Sequence, residues 1–180
     1  ASDVYKRQGL IYAPNKAAPT DEIVALAQVT SDGGGIYVTH MRNEGVDIDK
    51  SLDETFEIGQ RANLPIVVSH HKCAGKENHG RSAETLAQID NARTSQKVGL
   101  DVYPYTAASN PLRNLMPSWL QEGGIEGTLA RLANVDDRAR LRREIDEEGL
   151  NNFGRIPSWD AVRISISPNL PQYAGRTIPV

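Results

Sequence analysis

Residues 36–70, IYVTHMRNEGVDIDKSLDETFEIGQRANLPIVVSH, decide the fold. Ile36-Tyr37-Val38-Thr39 has the β-branched and aromatic composition of a strand. Pro65-Ile66-Val67-Val68-Ser69 is nearly all apolar, as strands covered on both faces of a parallel sheet are. Between them the apolar spacing predicts a helix over about residues 49–62, with Leu52, Phe56 and Gly59 on one face. The first strand ends in His40 and the second in His70, 30 residues later, which is one βα repeat. Parallel neighbours lie about 4.8 Å apart. Both imidazoles are therefore expected at one C-terminal rim, where α/β barrels build their active sites.

The same rhythm runs outward. Upstream, Gly9-Leu10-Ile11-Tyr12 reads as a strand end, and Thr20 as the N-cap of a helix through Ile23, Leu26 and Ala27 that stops at Gly33-Gly34-Gly35. Downstream, Ser82 reads as the N-cap of a helix carrying Ala83, Leu86, Ile89 and Ala92, and Val98-Gly99-Leu100-Asp101-Val102 as a further strand. Helices of about a dozen residues between short strands predict βαβ units and a parallel sheet. Past Pro111 the texture changes. Ile125, Leu129 and Leu132 predict one helix, Leu141 and Ile145 another, and residues 159–165 a short strand. Residues 1–8 do not follow the rhythm and are expected to be a non-native or assembly remnant, leaving 9–180 as the folded segment.

Composition narrows the function. The chain has 180 residues, 39% hydrophobic and 24% charged, the balance of an ordinary soluble domain. No apolar run reaches the ~18 residues of a membrane span. Twenty basic against 23 acidic side chains leave a net charge of −3, which argues against a nucleic-acid partner. A single cysteine excludes a disulfide framework and a four-cysteine zinc site. No charged-then-apolar leader is visible, so a cytoplasmic location is expected.

A lone histidine at a strand end most often satisfies a hydrogen bond in a core. Two at equivalent strand ends favour a metal or catalytic site, and imidazole nitrogen suits zinc. His71 faces away from His70 in an alternating strand and reads as structural. His79 lies in a loop. Lys72, two residues past a candidate ligand, can bind an anionic substrate group. Tyr103 and Tyr105 follow the last clear strand, where a phenol can polarise a carbonyl. Cys73 reads as a small buried hydrophobe rather than a ligand.

Four segments together resemble the metal-dependent N-acyl-D-amino-acid deacylases of the amidohydrolase superfamily. They are Thr39-His40-Met41-Arg42-Asn43-Glu44-Gly45, Ser69-His70-His71-Lys72, Gly80-Arg81-Ser82 and Asp101-Val102-Tyr103-Pro104-Tyr105. The resemblance runs from about Gly9 to the C-terminus and is strongest up to about Ser109. It implies a zinc hydrolase on a (β/α)8 barrel that converts a small-molecule N-acyl-D-amino acid to a carboxylate and a D-amino acid. It implies His40 and His70 as zinc ligands and Tyr103 as the residue at the scissile carbonyl. Lys72 and Tyr12 would hold the substrate carboxylate, and Ser109 would line the substrate pocket. The family's H-x-H pair is absent, Cys73 lies in the wrong motif to match its early cysteine ligand, and its late aspartate and arginine are expected beyond Val180. The expected fold is therefore α/β, a partial (β/α)8 TIM-type barrel of about strands four to seven with an added helical segment. Such a chain falls short of the ~250 residues of a complete barrel and is expected to be inactive alone. Two other functions fit the residues: a cyclic-amide hydrolase of the hydantoinase or dihydroorotase kind, and a non-catalytic barrel remnant. The role of Lys72 separates the first from a deacylase, because a ring substrate needs no full carboxylate clamp.

Overall fold

Four short extended runs pair in parallel, three of them largely apolar. In the computed structural model, which describes residues 5–12, 15–148 and 161–178, these are β1 (Tyr5–Gly9), β2 (Ile36–His40), β3 (Ile66–Val68) and β4 (Val98–Leu100). Their order in the sheet is β1-β2-β3-β4, so every strand lies beside its neighbours in sequence. The register sets Gly9 opposite His40, Tyr37 opposite Ile66, and Ile66 opposite Val98. Helices α1 (Thr20–Asp32), α2 (Ile48–Ala62) and α3 (Ser82–Ala92) fill the three crossovers. Parallel pairing with a helix in each crossover brings all four C-terminal strand ends to one edge.

Local chemistry explains the helix limits. Asp21 and Glu22 sit in the first turn of α1, where the helix dipole favours negative charge. Helix α2 ends on Asn63 in the left-handed region (φ 51°), a conformation asparagine tolerates. Helix α2 buries Ile48, Leu52, Phe56, Ile58 and Ala62 against Tyr37, Ile66 and Val68 of the sheet. Gly59 marks the closest approach: a Cβ there would stand 2.7 Å from the Ile66 Cγ2 methyl.

Several expectations need correction. Residues 5–8, set aside with the rest of 1–8, belong to β1, and the strand ends at Gly9 rather than running to Tyr12. Lys6, Arg7 and Gln8 are polar, so this strand lacks the apolar run by which the others are recognised. Thr20 and Ser82 are the first residues of their helices; Pro19 and Arg81 occupy the cap positions, and no side chain caps either end. The buried face of α3 is Thr85, Ile89 and Ala92, while Leu86 is exposed. Of the strand expected over 159–165, residues 159 and 160 lie outside the described residues; Arg163 forms an antiparallel bridge with Thr177.

The chain divides into two compact units, the first (Ala1–Ala74 and Asn78–Pro104) holding the sheet and α1 to α3. The second (Gly75–Glu77 and Tyr105–Val180) holds α4 (Ser118–Gln121), α5 (Gly124–Ala133) and α6 (Val135–Glu148), the helical segment expected past Pro111. Within it, the Trp119 indole donates to Glu144 (2.6 Å) and Arg140 stacks 4.0 Å over the Trp119 ring. No helix among the described residues is long and apolar enough to cross a membrane.

Candidate metal centre

The C-terminal edge of the sheet gathers five of the six candidate residues. His40 closes β2, and His70 lies two residues past the end of β3. Their rings stand edge to face with centroids 4.3 Å apart, within the reach that their equivalent positions predicted. The Tyr12 ring lies tilted 5.0 Å from the His40 ring, and Tyr103 lies 6.3 Å from the His70 ring. The Lys72 ammonium sits 5.5 Å from the centre of the Tyr103 ring. Ser109, the sixth, belongs to the second unit, in an exposed stretch without regular secondary structure.

At the centre is a residue to which the motifs assigned no role. Glu44 is 2% exposed. Its Oε1 lies 3.0 Å from His70 Nδ1, and its Oε2 lies 2.5 Å from Lys72 Nζ and 3.5 Å from His40 Nε2. Burial alone would raise its carboxyl pKa; the contact with His70 and the charges of His40 and Lys72 outweigh that and hold it below the ordinary carboxylate value. Both carboxylate oxygens are buried, and none of these contacts is a well-aligned hydrogen bond. Tyr12 and Tyr103 both have raised phenol pKa values, first through burial and then through the negative charge of Glu44.

Local backbone chemistry places each group. The Asn43 side chain accepts the Gly45 N–H (2.7 Å), and the Asn43 N–H donates to Ser51 Oγ (2.9 Å), which turns the chain sharply after β2. The Ala74 N–H donates to the Glu44 carbonyl (2.7 Å), tying the loop after β2 to the loop after β3. His70 has φ 41°, in the left-handed region that costs a non-glycine residue energy. Asp101 holds it there: its Oδ1 accepts the His70 N–H (2.6 Å) and its carbonyl accepts the His71 N–H (2.8 Å). That turn breaks the strand alternation and sends His71 inward, where its Nε2 meets Thr85 Oγ1 at 2.9 Å. His71 is thus structural, and burial lowers its pKa. Arg42 forks onto Glu54 (2.9 and 2.8 Å) and donates to the carbonyls of Lys16 and Ala18, fixing the loop that follows Tyr12. Gly9 gives Tyr12 room; a Cβ there would stand 3.1 Å from the Tyr12 ring.

The donor set suits a divalent cation. His40, Glu44 and His70 each offer an atom, all within 4.8 Å of one another. Two imidazole nitrogens and a carboxylate are a normal zinc environment. A buried carboxylate lacking aligned donors is also a place where a further positive partner is accommodated. Sequence inspection missed Glu44 and Asp101 although both stand inside quoted motifs. The available signal was an acidic side chain four residues past a candidate ligand, within an Asn-Glu-Gly turn.

No sequence-family model matches the chain. Over 105 residues it is 49% identical to a D-aminoacylase of Alcaligenes xylosoxydans xylosoxydans, covering 58% of this chain and 22% of that protein. The chain thus spans about a fifth of the length of that curated relative. A solved D-aminoacylase structure, described as defining a novel subset of amidohydrolases, aligns with a TM-score of 0.54 at 49% identity over 55% of this chain and 21% of its own. An N-acyl-D-glutamate deacylase from Bordetella bronchiseptica, solved with zinc and a phosphonate mimic of the tetrahedral intermediate, aligns with a TM-score of 0.65 at 28% identity over 93% of this chain and 27% of its own. These likenesses bear out the resemblance carried by the four motifs.

Proposed function

We propose that this chain supplies the central part of the active site of a zinc-dependent N-acyl-D-amino-acid deacylase. Its four strands correspond to about strands four to seven of a (β/α)8 barrel. The observation that carries the proposal is the pairing of His40 and His70, ring centroids 4.3 Å apart on one edge of a parallel sheet, in a segment 49% identical to a D-aminoacylase. His40 and His70 would hold the ion. When bound, zinc generates a nucleophile from water at neutral pH and polarises the amide carbonyl.

The remaining groups have separate tasks. Tyr103, whose phenol pKa is raised by burial above its ordinary value, donates its hydroxyl hydrogen to the oxygen that gains charge as the amide carbonyl is attacked. Lys72 carries three N–H donors. Glu44 and the His70 carbonyl engage two of them, at 2.5 and 3.0 Å. The third points to His70 Nδ1 at 3.0 Å, and the substrate carboxylate, alongside the Tyr12 hydroxyl, would take its place there. Ser109 stands as a pocket residue on the family resemblance.

The test is a chimera in which the matched 105-residue stretch replaces its counterpart in the 49%-identical D-aminoacylase. Zinc-dependent hydrolysis of N-acyl-D-amino acids, lost on His70→Ala, is expected. A folded, zinc-loaded chimera that leaves these amides intact, or that opens only cyclic amides, overturns the proposal.

A further inference from the structure

The Gly80-Arg81-Ser82 motif has no task in the proposed chemistry. Gly80 has φ 91°, a backbone state that L side chains rarely adopt, and Ser82 opens α3. Between them Arg81 reaches two different segments. Its Nη2 donates to Asp49 Oδ2 (2.5 Å) in the first turn of α2, and its Nη1 donates to Asn78 Oδ1 (3.0 Å). Asn78 is 4% exposed, and its other amide atom is also committed: Nδ2 donates to the Ala74 carbonyl at 2.7 Å. The Ala74 N–H in turn donates to the Glu44 carbonyl at 2.7 Å. One guanidinium therefore holds both sides of a seam. Asp49 follows the loop after β2 that carries Glu44. Asn78 anchors the loop after β3, in which Lys72 precedes Ala74 by two residues. Across that seam Lys72 Nζ meets Glu44 Oε2 at 2.5 Å. The Asp49 carboxylate is half-exposed, so its pairing with Arg81 contributes little alone. The link to Asn78 differs in kind, because losing it leaves the amide oxygen of a buried residue without its donor.

We propose that Arg81 is a positioning residue for substrate binding. It fastens the loop after β2 to the loop after β3 and so sets the contact between Glu44 and Lys72. Through that contact it places the ammonium that receives the carboxylate of an N-acyl-D-amino acid. A guanidinium forks onto two acceptors in a fixed geometry, which a lysine ammonium on a flexible stem does not reproduce. The proposal rests on the deacylase reading given above and adds a role for a motif that the chemistry leaves unused.

The test has two arms. In the chimera described above, Arg81→Met and Arg81→Lys should each raise KM for an N-acyl-D-amino acid about 10-fold while kcat changes by less than about 2-fold, because only the hold on the carboxylate is loosened. A merely structural role would lower kcat through a smaller folded fraction at unchanged KM, and that result overturns the proposal. An inactive chimera with Arg81 intact overturns the deacylase reading and the substrate role with it; the second arm then still decides whether Arg81 sets the contact between Glu44 and Lys72. That arm needs no substrate and uses the full 180-residue chain. Changes at positions that share no partner normally add, but here the Tm loss caused by Lys72→Met should fall by about half or more in the Arg81→Met background. Equal losses in the two backgrounds overturn the proposal. If Arg81→Met does not fold, Arg81→Lys serves as the background, with the same expectation and the same refuting result.

Discussion

Replacing Lys72 with methionine removes one ammonium and keeps most of its aliphatic stem. In the folded chain that ammonium lies 2.5 Å from Glu44 Oε2, with Glu44 2% and Lys72 22% exposed. Removing one partner of a fully buried ion pair costs about 3–5 kcal/mol, because a charge is left without compensation. Lys72 keeps some solvent contact, and two imidazoles remain beside the carboxylate, so about 2–3 kcal/mol is expected here. In a chain of this size each kcal/mol moves Tm by about 2–4 °C, so Lys72→Met should lower Tm by about 4–12 °C. Adding Glu44→Gln removes the stranded charge and should recover most of the loss, a coupling of about 1–3 kcal/mol between the two positions. Thermal and urea unfolding of the metal-free chain at pH 7, followed by circular dichroism, measures all four corners of the cycle. Two results would refute the reasoning. One is a Lys72→Met cost below about 0.5 kcal/mol, the behaviour of an exposed pair. The other is a double variant no more stable than the sum of the single losses implies.

Two further outcomes follow from the packing and the charges of the first unit. Gly59→Ala would place a Cβ 2.7 Å from Ile66 Cγ2 and 2.6 Å from Gln96 Oε1. The glutamine can swing aside but the core isoleucine cannot, so an overpacking cost of about 1–3 kcal/mol should exceed the gain of about 1 kcal/mol in helix propensity. A raised Tm for Gly59→Ala would contradict this. At Glu54, burial raises the carboxyl pKa, but hydrogen bonds from Arg42 and Thr20 and the Arg42 charge more than reverse it, so the net shift is downward. A depressed folded pKa stabilises the fold above the unfolded value of about 4.3, and that contribution fades as pH falls towards the folded value. The Tm advantage of wild type over Glu54→Gln should therefore be full at neutral pH and shrink below about pH 4.3; an advantage that grows on acidification would rule the pairing out.

How much was legible from the residues alone differs element by element. The strands around Val38, Val67 and Gly99 and helix α2 announce themselves, because a run of apolar residues or a 3.6-residue apolar period is a property of neighbours in sequence. The equivalence of His40 and His70 is of the same kind, since one βα repeat separates them. The sequence places strand β1 too late, over Gly9 to Tyr12, because Lys6, Arg7 and Gln8 are polar and lack the apolar run that marks the other three strands. The exposed apolar side chains of α5, such as Ile125 and Leu129, predict a helix, but its period does not say what covers that face.

Sequence by itself determined the parallel α/β rhythm, the two imidazoles at one strand edge, and the four motifs that tie them to deacylases. Each of these is encoded by local spacing or by residue identity within a short run. Tertiary structure alone decided that Glu44, to which the motifs assign no role, lies buried among His40, His70 and Lys72. It also decided that Asp101, on the chain after β4, holds His70 in a left-handed turn and so points His71 into the core. Burial and ionic contact depend on which distant segments converge. Three loops meet at this edge only because the strands that precede them are neighbours in the sheet.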